Sequence, residues 1–451
     1  MGKYFGTDGV RGVANTELTP ELAFSLGRYG AQVLASHAKH KARILIGTDT
    51  RISCSMLEAS LVAGICSAGA DAVVCGVVPT PGIAYLTKLG AYDAGAVISA
   101  SHNSFEFNGI KFFNRDGYKL PDSVEDEIEN CMTDPAPAGI PRLSGRDVGQ
   151  RINYPDAAAV YRSHLLTVSG ADLHGMKIAV DCANGASAGI APELFRDAGA
   201  EVVAIGTVPD GININEACGS THMDKLCKLV MAEKCDLGIA FDGDADRMLA
   251  VDGDGNCVDG DVIISIMARY MQSKGLLNKD TVVVTVMSNL GLDIYAKEAG
   301  LKLAKTAVGD RYVLEHMLQN GYNLGGEQSG HIILLDHSTT GDGMLSALWF
   351  LKALLDMNQS LAEAARIMKV LPQVIQSARI PNGNKKKAMD DEEILGLCRN
   401  IEQSLNGKGR VLVRPSGTEP VIRVMLEGED KDAITVMAEE LTSLISRKYG
   451  C

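Results

Sequence analysis

A serine, a histidine, an asparagine and a lysine lie close together in the segment Ala94 to Phe113, AGAVISASHNSFEFNGIKFF. Small and β-branched residues alternate before Ser101, which predicts a short buried strand. Ser101 then follows the carboxyl end of that strand, where open α/β sheets bind ligands. Gly109 permits a reversal into a second strand that carries Lys111. Ser101 is therefore a candidate nucleophile with His102 beside it, although a Ser-His pair is also ordinary turn chemistry.

Three aspartates, Asp242, Asp244 and Asp246, follow another apolar run at spacing i, i+2 and i+4. In extended backbone alternate side chains share one face, so the three carboxylates could converge on one hard cation. A calcium EF-hand is excluded, because Arg247 and Gly253 stand where that loop requires Gly and Glu. The alternative is an acidic turn. Three unneutralised carboxylates repel each other, so the pattern favours Mg²⁺, which leaves coordination room for phosphate.

Three further glycine-containing loops carry groups suited to a phosphorylated, hydroxylated ligand. Arg11 lies in YFGTDGVRGVAN and is either a phosphate contact or a surface arginine of a turn. Glu327 and Ser329 in GGEQSGH offer short hydrogen-bonding groups. Arg414–Thr418, RPSGT, combines a guanidinium with a turn whose N–H groups could form an anion nest, and Arg423 follows it. Each loop taken singly is also compatible with an ordinary turn.

The elements that must position these loops recur along the chain. Hydrophobic patterns predict three passes of alternating strands and helices, each ending in one polar loop, followed by a smaller α+β region behind a hinge near Leu371. The turn Thr48–Arg51 is predicted to be polar, and Asp252–Asp261 to be a hairpin turn. The predicted strands are Arg43–Gly47, Ala72–Val78, Gly95–Ser99, Lys177–Cys182, Glu201–Ile205, Leu237–Phe241, Thr281–Val286, Lys302–Lys305 and Gly409–Val413. The predicted helices are Leu18–Ala38, Met56–Ala68, Ile190–Ala198, Met223–Lys234, Leu292–Ala299, Tyr312–Asn320 and Leu361–Met368.

Composition limits the classes of partner. The net charge of −13 argues against a nucleic-acid or anionic-membrane surface, which would need clustered Lys and Arg. Eleven cysteines include no C-x-x-C pair, which favours free thiols in a reducing compartment. The amino terminus has no apolar signal region, and no apolar run approaches the roughly 18 residues of a membrane span. We therefore expect a cytoplasmic protein.

The motifs ASHN…NGIKFF, DGDADR, GEQSGH and RPSGTEP occur in this order over essentially the whole chain. They resemble those of the α-D-phosphohexomutase superfamily. GEQSGH, with YFGTDGVRG and VGDRYVLE, is most similar to the bacterial phosphoglucosamine mutases. The resemblance implies three similar α/β domains with mixed sheets and a smaller C-terminal α+β domain, arranged around a central cleft. The expected boundaries are 1–155 for the phosphoserine loop, 156–253 for the metal loop, 254–370 for the sugar loop and 371–451 for the phosphate-binding domain.

The resemblance also implies the roles of individual residues. Ser101 would carry a phosphoryl group and, with Asp242, Asp244 and Asp246, would bind one Mg²⁺ per chain. The groups expected around the transferring phosphoryl are Arg11, His102, Lys111 and His331. The groups expected to bind substrate are Arg247, Gly309, Asp310, Glu327, Ser329, Arg414, Ser416, Gly417, Thr418 and Arg423.

The implied reaction interconverts glucosamine 6-phosphate and glucosamine 1-phosphate, for amino-sugar and cell-wall precursors. Glucosamine or glucose 1,6-bisphosphate would be its intermediate and activator. The partner is a small phosphosugar, and a homodimer is compatible with the resemblance. The alternatives are a phosphoglucomutase or phosphomannomutase, a silent sugar-phosphate binding paralogue, and a metal-dependent phosphatase.

The chain departs from the family pattern at two places. Asn103-Ser104-Phe105 stands where Asn-Pro-Tyr is usual, and the loss of proline would loosen the loop without removing a catalytic group. Ala245 stands where Gly is also common.

Overall fold

The computed structural model describes residues 4–6, 8–36, 38–133, 143–416 and 419–450. The chain forms two compact units, Met1–Met287 with Leu301–Ile367, and Ser288–Gly300 with Met368–Cys451. The first unit holds three mixed sheets and the second holds one antiparallel sheet. None of the helices in the described ranges has the length and apolar composition needed to span a bilayer.

The first sheet has seven strands. Its elements are β1 (Phe5–Gly6), β2 (Gly9–Val13), α1 (Pro20–Leu34), β3 (Arg43–Thr48), α2 (Cys54–Ser67), β4 (Asp71–Val77), α3 (Thr80–Leu89), β5 (Ala94–Ile98), β6 (Phe107–Asn114), α4 (Asp122–Thr133) and β7 (Arg151–Asn153). The strand order is β1-β2-β6-β5-β3-β4-β7. Strands β5, β3, β4 and β7 are parallel, whereas β6, β2 and β1 continue the sheet antiparallel. The Ser101 loop therefore joins the last parallel strand to the first antiparallel one.

The second sheet has five strands in the order β12-β11-β10-β8-β9. Its elements follow α5 (Ala157–Ser169) and are β8 (Lys177–Asp181), α6 (Ala191–Asp197), β9 (Glu201–Ile205), α7 (Asp224–Glu233), β10 (Leu237–Phe241), β11 (Met248–Asp252) and β12 (Cys257–Val258). Strands β9, β8 and β10 are parallel, and β11 and β12 are antiparallel. Residues 253–256 form the predicted hairpin turn, where Asp252 Oδ1 accepts the N–H groups of Asp254 and Asn256.

The third sheet has four strands in the order β14-β13-β15-β16. The elements are α8 (Gly260–Ser273), β13 (Thr281–Thr285), α9 (Leu290–Ala299, in the second unit), β14 (Lys302–Thr306), α10 (Asp310–Asn320), β15 (Leu324–Gly326), β16 (Ile332–Leu334), α11 (Gly343–Met357) and α12 (Leu361–Ala364). Only β16 is antiparallel to its neighbour. Helix α11 is buried on most of its surface, as expected for a helix that is apolar on all sides.

The second unit contains β17 (Gln373–Arg379), α13 (Lys385–Met389), α14 (Glu392–Ser404), β18 (Gly409–Pro415), β19 (Val421–Gly428) and α15 (Lys431–Tyr449). Strand β19 lies between β17 and β18 and pairs antiparallel with both. Residues from both helices and strands, including Ile394, Ile422, Leu426 and Ile445, form its core. This confirms the smaller α+β domain expected from the sequence.

The three sheets of the first unit share one plan. In each, a parallel strand (β5, β10 or β15) is followed by a polar loop and then by an antiparallel neighbour (β6, β11 or β16). The loops are residues 99–106, 242–247 and 327–331, which contain the three motifs singled out above. The predicted threefold repeat of α/β units, each delivering one loop, is confirmed.

Several predicted boundaries shift for local reasons. Helix α1 begins at Pro20, because the Thr19 side chain accepts the N–H of Leu22 and caps the helix there. The helix expected over Leu361–Met368 ends as α12 at Ala364 and continues as a 3₁₀ turn. All ten described cysteines are free.

Candidate functional site

The three aspartates form a carboxylate cluster in the loop between β10 and β11. One oxygen each from Asp242, Asp244 and Asp246 lies within 4.8 Å of the others, and all three side chains are buried. Asp244 Oδ1 and Asp246 Oδ1 have no hydrogen-bond partner among the described residues. Burial and the two neighbouring carboxylates raise the pKa of Asp242 well above its usual range. Converging, unpaired carboxylate oxygens fit a hard divalent cation, and Mg²⁺ suits a site with few protein ligands.

Ser101 lies at this cluster. Its Oγ donates a hydrogen bond to Asp242 Oδ2 at 2.7 Å, and its side chain is buried. The backbone of Ser101 has φ of 53°, in the left-handed region that non-glycine residues rarely adopt. The nucleophile predicted in the first sheet and the carboxylates predicted in the second therefore meet in the tertiary structure.

Two residues of the carboxylate loop permit this close approach. Gly243 has no side chain, and a Cβ there would lie 2.5 Å from the carbonyl oxygen of Ser101. Ala245 has φ of 56°, also in the left-handed region. That conformation explains in physical terms why glycine is equally suited to position 245, since glycine adopts it without steric cost.

Lys111 and Asp8 connect the cluster to the first sheet. Lys111 Nζ lies 3.0 Å from Asp244 Oδ2 and 3.0 Å from Asp8 Oδ2. Asp8 also pairs with Arg11 and with Lys119. Burial alone would raise the pKa of Asp8, but these three cations lower it well below its usual range. Arg11 Nε is buried without an acceptor among the described residues, so a donor is available to an anionic ligand.

Residues of the third α/β unit connect Lys119 to the carboxylate cluster. Lys119 pairs with Asp310 as well as with Asp8. Asp310 Oδ2 lies 3.5 Å from His331 Nε2, and His331 Nδ1 lies 3.6 Å from Asp246 Oδ2. Burial opposes ionisation of His331, but Asp246 and Asp310 raise its pKa overall. The Gly341 N–H points at His331 Nε2 at 3.1 Å, which favours a neutral ring with its proton on Nδ1, facing Asp246. Alternating acidic and basic side chains thus connect Asp244 to Asp246.

Arg247 and His102 complete the surroundings of the cluster. Arg247 donates its backbone N–H to Asp242 Oδ1 at 3.3 Å, whereas its Nε is buried without a hydrogen-bond partner in the described part of the chain. His102 Nδ1 lies 3.4 Å from Ser101 Oγ. Burial, together with Arg247 and Arg11, lowers the pKa of His102 to about 4. His102 is therefore a neutral imidazole at neutral pH.

The third loop is arranged for hydrogen bonding at its tip. Glu327 is half-buried, and its Oε1 accepts the N–H of Gly309 at 3.1 Å. Ser329 is exposed. Gln328, by contrast, donates from Nε2 to Asp259 Oδ2 at 3.1 Å and so braces the start of α8. Glu327 and Ser329 are thus available to a ligand, whereas Gln328 is held by its bond to Asp259.

The predicted polar turn Thr48–Arg51 is packed into the interior of the protein. Asp49 and Arg51 are both buried, and they pair with each other. Their burial is possible because the Arg51 guanidinium donates to backbone carbonyls of the Ser101 loop as well as to Asp49. A short polar motif carries no signal that would distinguish this from an exposed turn.

The second unit holds a separate cluster of cations. Arg414 on β18 lies directly across from Arg423 on β19. Arg423 pairs with Glu419, whereas no carboxylate pairs with Arg414 among the described residues. Burial and Arg423 lower the pKa of Arg414. Two like charges opposite each other are unfavourable in a sheet. The pair is therefore suited to binding an anion.

Ser416 in the same segment is buried, and its Oγ accepts the N–H of Glu419 at 3.1 Å. Gly417 and Thr418, which were expected to complete this anion site, lie outside the described residues.

Comparison with known protein families matches most of the chain in four parts. The models are those of the phosphoglucomutase/phosphomannomutase α/β/α domains I, II and III, over residues 2–137, 159–255 and 259–371, and of the C-terminal domain over residues 378–444. These matches confirm the expected architecture of three α/β domains and a C-terminal domain.

Curated relatives are similar over their full length. The phosphoglucosamine mutase of Ruminiclostridium cellulolyticum is 55% identical over 450 residues, and that of Caldicellulosiruptor bescii is 55% identical over 451 residues, with 100% of both chains covered in each case.

Solved structures share the fold at low identity. A phosphoglucomutase/phosphomannomutase family protein from Burkholderia thailandensis superposes with a TM-score of 0.81 at 22% identity, covering 98% of this chain and 97% of the other. The N-acetylphosphoglucosamine mutase of Aspergillus fumigatus, solved with GlcNAc-6P and magnesium, gives 0.68 at 17% identity, with 99% and 96% covered.

Proposed function

The chain belongs to the phosphoglucomutase/phosphomannomutase family, and we propose that it interconverts glucosamine 6-phosphate and glucosamine 1-phosphate through a phosphoserine. One observation carries the proposal: Ser101 Oγ lies 2.7 Å from Asp242 Oδ2, at a buried cluster of three carboxylates. The relatives that match over their full length are phosphoglucosamine mutases, which favours glucosamine phosphate over other hexose phosphates.

Ser101 is the proposed carrier of the phosphoryl group. Asp242, Asp244 and Asp246 are the proposed ligands of one Mg²⁺, with an oxygen on Ser101 as a further ligand. Bound Mg²⁺ would neutralise the oxygens of a phosphoryl group at this position. Lys111 holds Asp244 in place from the other side.

The proposed reaction has two phosphoryl transfers. In the first, the free 1-hydroxyl of glucosamine 6-phosphate attacks phosphoserine 101, which leaves an unmodified serine and glucosamine 1,6-bisphosphate. In the second, Ser101 attacks the 6-phosphoryl group of the bisphosphate, which restores phosphoserine and releases glucosamine 1-phosphate. One nucleophile thus serves both ends of the sugar, and added 1,6-bisphosphate would act as an activator.

Protons must leave the attacking hydroxyl and return to the leaving oxygen. His102 is neutral and lies 3.4 Å from Ser101 Oγ, so it can accept a proton from the serine in the second transfer. Arg11 Nε and Arg247 Nε are buried donors that make no hydrogen bond within the described chain, and Arg247 Nε lies 3.7 Å from Asp246 Oδ1. Both are therefore placed to donate to phosphoryl oxygens.

The second unit is proposed to hold the phosphate that is not being transferred. Arg414 and Arg423 face each other across β18 and β19 without a carboxylate on Arg414 in the described part of the unit. A phosphate would relieve their mutual repulsion, and arginine matches its geometry. Ser416, Gly417 and Thr418 remain proposed contacts of the same phosphate, as do Gly309, Asp310, Glu327 and Ser329 for the sugar.

Sugar choice provides the decisive experiment. Glucosamine and glucose phosphates differ only at C2, where an amine replaces a hydroxyl, and both groups form hydrogen bonds. We expect preference for glucosamine 6-phosphate that falls well short of the roughly 10⁴-fold seen when a required hydroxyl is missing, with measurable turnover of glucose 6-phosphate. Mannose 6-phosphate, whose C2 group points the other way, should be poorer still.

The assay compares kcat/KM for the three phosphosugars on phosphorylated enzyme with added Mg²⁺. Equal or higher kcat/KM for glucose 6-phosphate would replace the assignment with a general phosphoglucomutase. Stoichiometric release of inorganic phosphate would indicate a phosphatase, and lack of turnover of every sugar would indicate a binding protein.

Ser101→Ala tests the nucleophile directly. We expect a folded protein whose mutase activity falls by several orders of magnitude, because no neighbouring group can carry the phosphoryl; Ser104→Ala, in the same loop, is the matched control. Near-normal turnover by Ser101→Ala would refute the phosphoserine. Cytoplasmic location, the homodimer and the four domain boundaries stay predictions.

A further inference from the structure

We infer that Arg51 is a positioning residue that holds the backbone of the Ser101 loop in the geometry required for phosphoryl transfer. The inference rests on the proposed function, because it assigns a purpose to the loop only if Ser101 is the phosphoryl carrier. Arg51 lies in the turn between β3 and α2, outside the motifs to which the family resemblance assigns roles.

All five N–H groups of the Arg51 guanidinium have acceptors, and its side chain is fully buried. Nε donates to Asp49 Oδ2 at 2.9 Å. The other four N–H groups serve one loop. Nη2 donates to the carbonyls of Ser101 at 3.0 Å and Asn103 at 2.8 Å, and Nη1 donates to those of Phe107 at 3.0 Å and Ser104.

Because every guanidinium donor of Arg51 already has an acceptor, two possible roles of Arg51 can be distinguished. An arginine that bound substrate phosphate would need free donors, and Arg51 has none left. Its four bonds end on carbonyl oxygens on both sides of the loop tip, from Ser101 to the start of β6. Arg51 is therefore placed to fix the loop and has no capacity to bind the sugar.

Asp49 orients Arg51 and reaches Ser101 by a second route. It accepts the backbone N–H of Arg51 on Oδ1 at 3.0 Å, in addition to Nε on Oδ2. Asp49 Oδ2 also accepts Ser99 Oγ at 2.6 Å, and Ser99 Oγ in turn accepts the N–H of Ser101 at 3.0 Å. The N–H and the carbonyl of Ser101 are thus both tied to the Asp49–Arg51 pair.

The side chain of Asn215 donates hydrogen bonds to two of the same carbonyls. Asn215 Nδ2 donates to the carbonyl of Ser101 at 3.0 Å and to that of Asn103 at 3.0 Å. Each of these carbonyls therefore accepts one bond from Arg51 and one from Asn215. Asn215 lies in the segment between β9 and α7. Its two hydrogen bonds therefore also fix the Ser101 loop against the α/β unit that carries the carboxylate cluster.

The Ser101 loop needs external support. Asn103, Ser104 and Phe105 include neither proline nor glycine, so no ring fixes φ in this segment. Ser101 itself has φ of 53°, a conformation that persists in a non-glycine residue only when its surroundings impose it. If the backbone relaxed, Ser101 Oγ would leave its position 2.7 Å from Asp242. Misplacement by about 1 Å can lower a rate about 100-fold.

The test is Arg51→Lys. Lysine keeps the charge but has three donors, so at least two of the five acceptors lose the hydrogen bond that Arg51 donates to them. We expect kcat for glucosamine 6-phosphate to fall roughly 100-fold while KM stays within about twofold, because the sugar contacts are untouched. Arg115→Lys, at an exposed arginine in the turn after β6, is the matched control and should leave kcat unchanged.

Asn215→Ala keeps the test decisive if Arg51→Lys does not fold. It removes the second donor from the Ser101 and Asn103 carbonyls, and we expect a fall in kcat of about tenfold at constant KM. Folding of each variant is checked by thermal unfolding, and the environment of phosphoserine 101 by its ³¹P chemical shift, which should move in both variants.

Folded Arg51→Lys with kcat within about twofold of wild type would overturn the inference, as would a loss that appears equally in KM. If Arg51→Lys is unfolded, an unchanged kcat in Asn215→Ala overturns it. These outcomes are separate from failure of the proposed function, which would appear as wild-type enzyme that turns over no phosphosugar.

Discussion

Lys119 is a buried cation between two carboxylates, and its removal should be costly. Its Nζ lies 2.6 Å from Asp8 Oδ1 and also contacts Asp310, with only 14% of the side chain exposed. We consider Lys119→Met, which keeps most of the apolar stem and removes only the charge. Both carboxylates then stay buried, and a buried charge left without its partner typically costs about 3–5 kcal/mol.

The structure places the expected loss near the lower end of that range. Asp8 retains Arg11 and Lys111 as partners, whereas the partners left to Asp310 among the described residues are His331 at 3.5 Å and the N–H of Arg311 at 2.9 Å. The penalty therefore falls mainly on Asp310, and we expect Lys119→Met to lower the free energy of unfolding at pH 7 by about 3 kcal/mol. The double variant Lys119→Met/Asp310→Asn should recover roughly 2 kcal/mol of this, because no orphaned charge remains at Asp310.

The pH dependence has a definite sign. Lys119 is one of the groups that lower the pKa of Asp310 in the folded protein, against its burial. A carboxyl with a lowered folded pKa adds stability above its unfolded pKa of about 3.9, and that stability is lost as the pH falls through the folded value. Lys119→Met removes this contribution. The difference from wild type should therefore be largest at neutral pH and should shrink as the pH falls below about 4.

Urea unfolding provides the assay. Trp349, the single tryptophan of the chain, is buried in α11 of the first unit and reports on that unit. Lys228→Met, at an exposed lysine of α7, is the control and should stay within about 0.5 kcal/mol of wild type. A loss of less than about 1 kcal/mol for Lys119→Met, equal at pH 7 and pH 4, would refute the reasoning.

Three further predictions concern the carboxylate cluster, the anion site and a buried acid. Asp244→Asn should weaken Mg²⁺ binding about tenfold or more, roughly 1.4 kcal/mol, because a charged ligand becomes a neutral amide; unchanged binding by calorimetry would make the cluster a mere turn. Arg414→Ala should raise KM for the phosphosugar by about 2–3 kcal/mol in free energy, and an unchanged KM would place the phosphate elsewhere. Burial raises the pKa of Asp342 to about 6, so its ionisation should cost about 3 kcal/mol of stability as the pH rises from about 4 to 6. The variant Asp342→Asn can still cap α11, so it should be more stable than wild type at pH 7 but not at pH 4. Urea unfolding at both pH values checks this, and an equal change in stability at both would contradict it.

Periodicity and motif spacing predicted most elements around the site. Strands such as β9 and β10 match their expected bounds residue for residue, because a short apolar run between polar turns fixes both ends locally. Helix α11 was not among the predicted helices, since a segment that is apolar on all sides has no amphipathic period to detect. The loops that carry Ser101 and the three aspartates were identified because their chemistry depends on residue types at short spacing.

The groups that hold these loops could not be identified in the same way. Lys119, Arg51 and Asn215 carry no recognisable functional signature, and the segment containing Arg51 was interpreted only as a polar turn. Their partners are distant in sequence: Arg51 bonds to residues about 50 positions away, and Asn215 to a carbonyl 114 positions away. A polar side chain becomes a buried partner only when separate strands and loops are packed together.

The sequence alone determined the family, the three repeated α/β units and the residue types of the site, because each depends on local pattern. Only the tertiary structure decided that Ser101 Oγ meets Asp242 and that Arg51 saturates its donors on the serine loop. It also decided that alternating acidic and basic side chains link Asp244 to Asp246 through Lys111, Asp8, Lys119, Asp310 and His331. The physical reason is that a charge can be buried only where opposite charges and hydrogen-bond partners converge, and that convergence is set by packing between elements far apart in the chain.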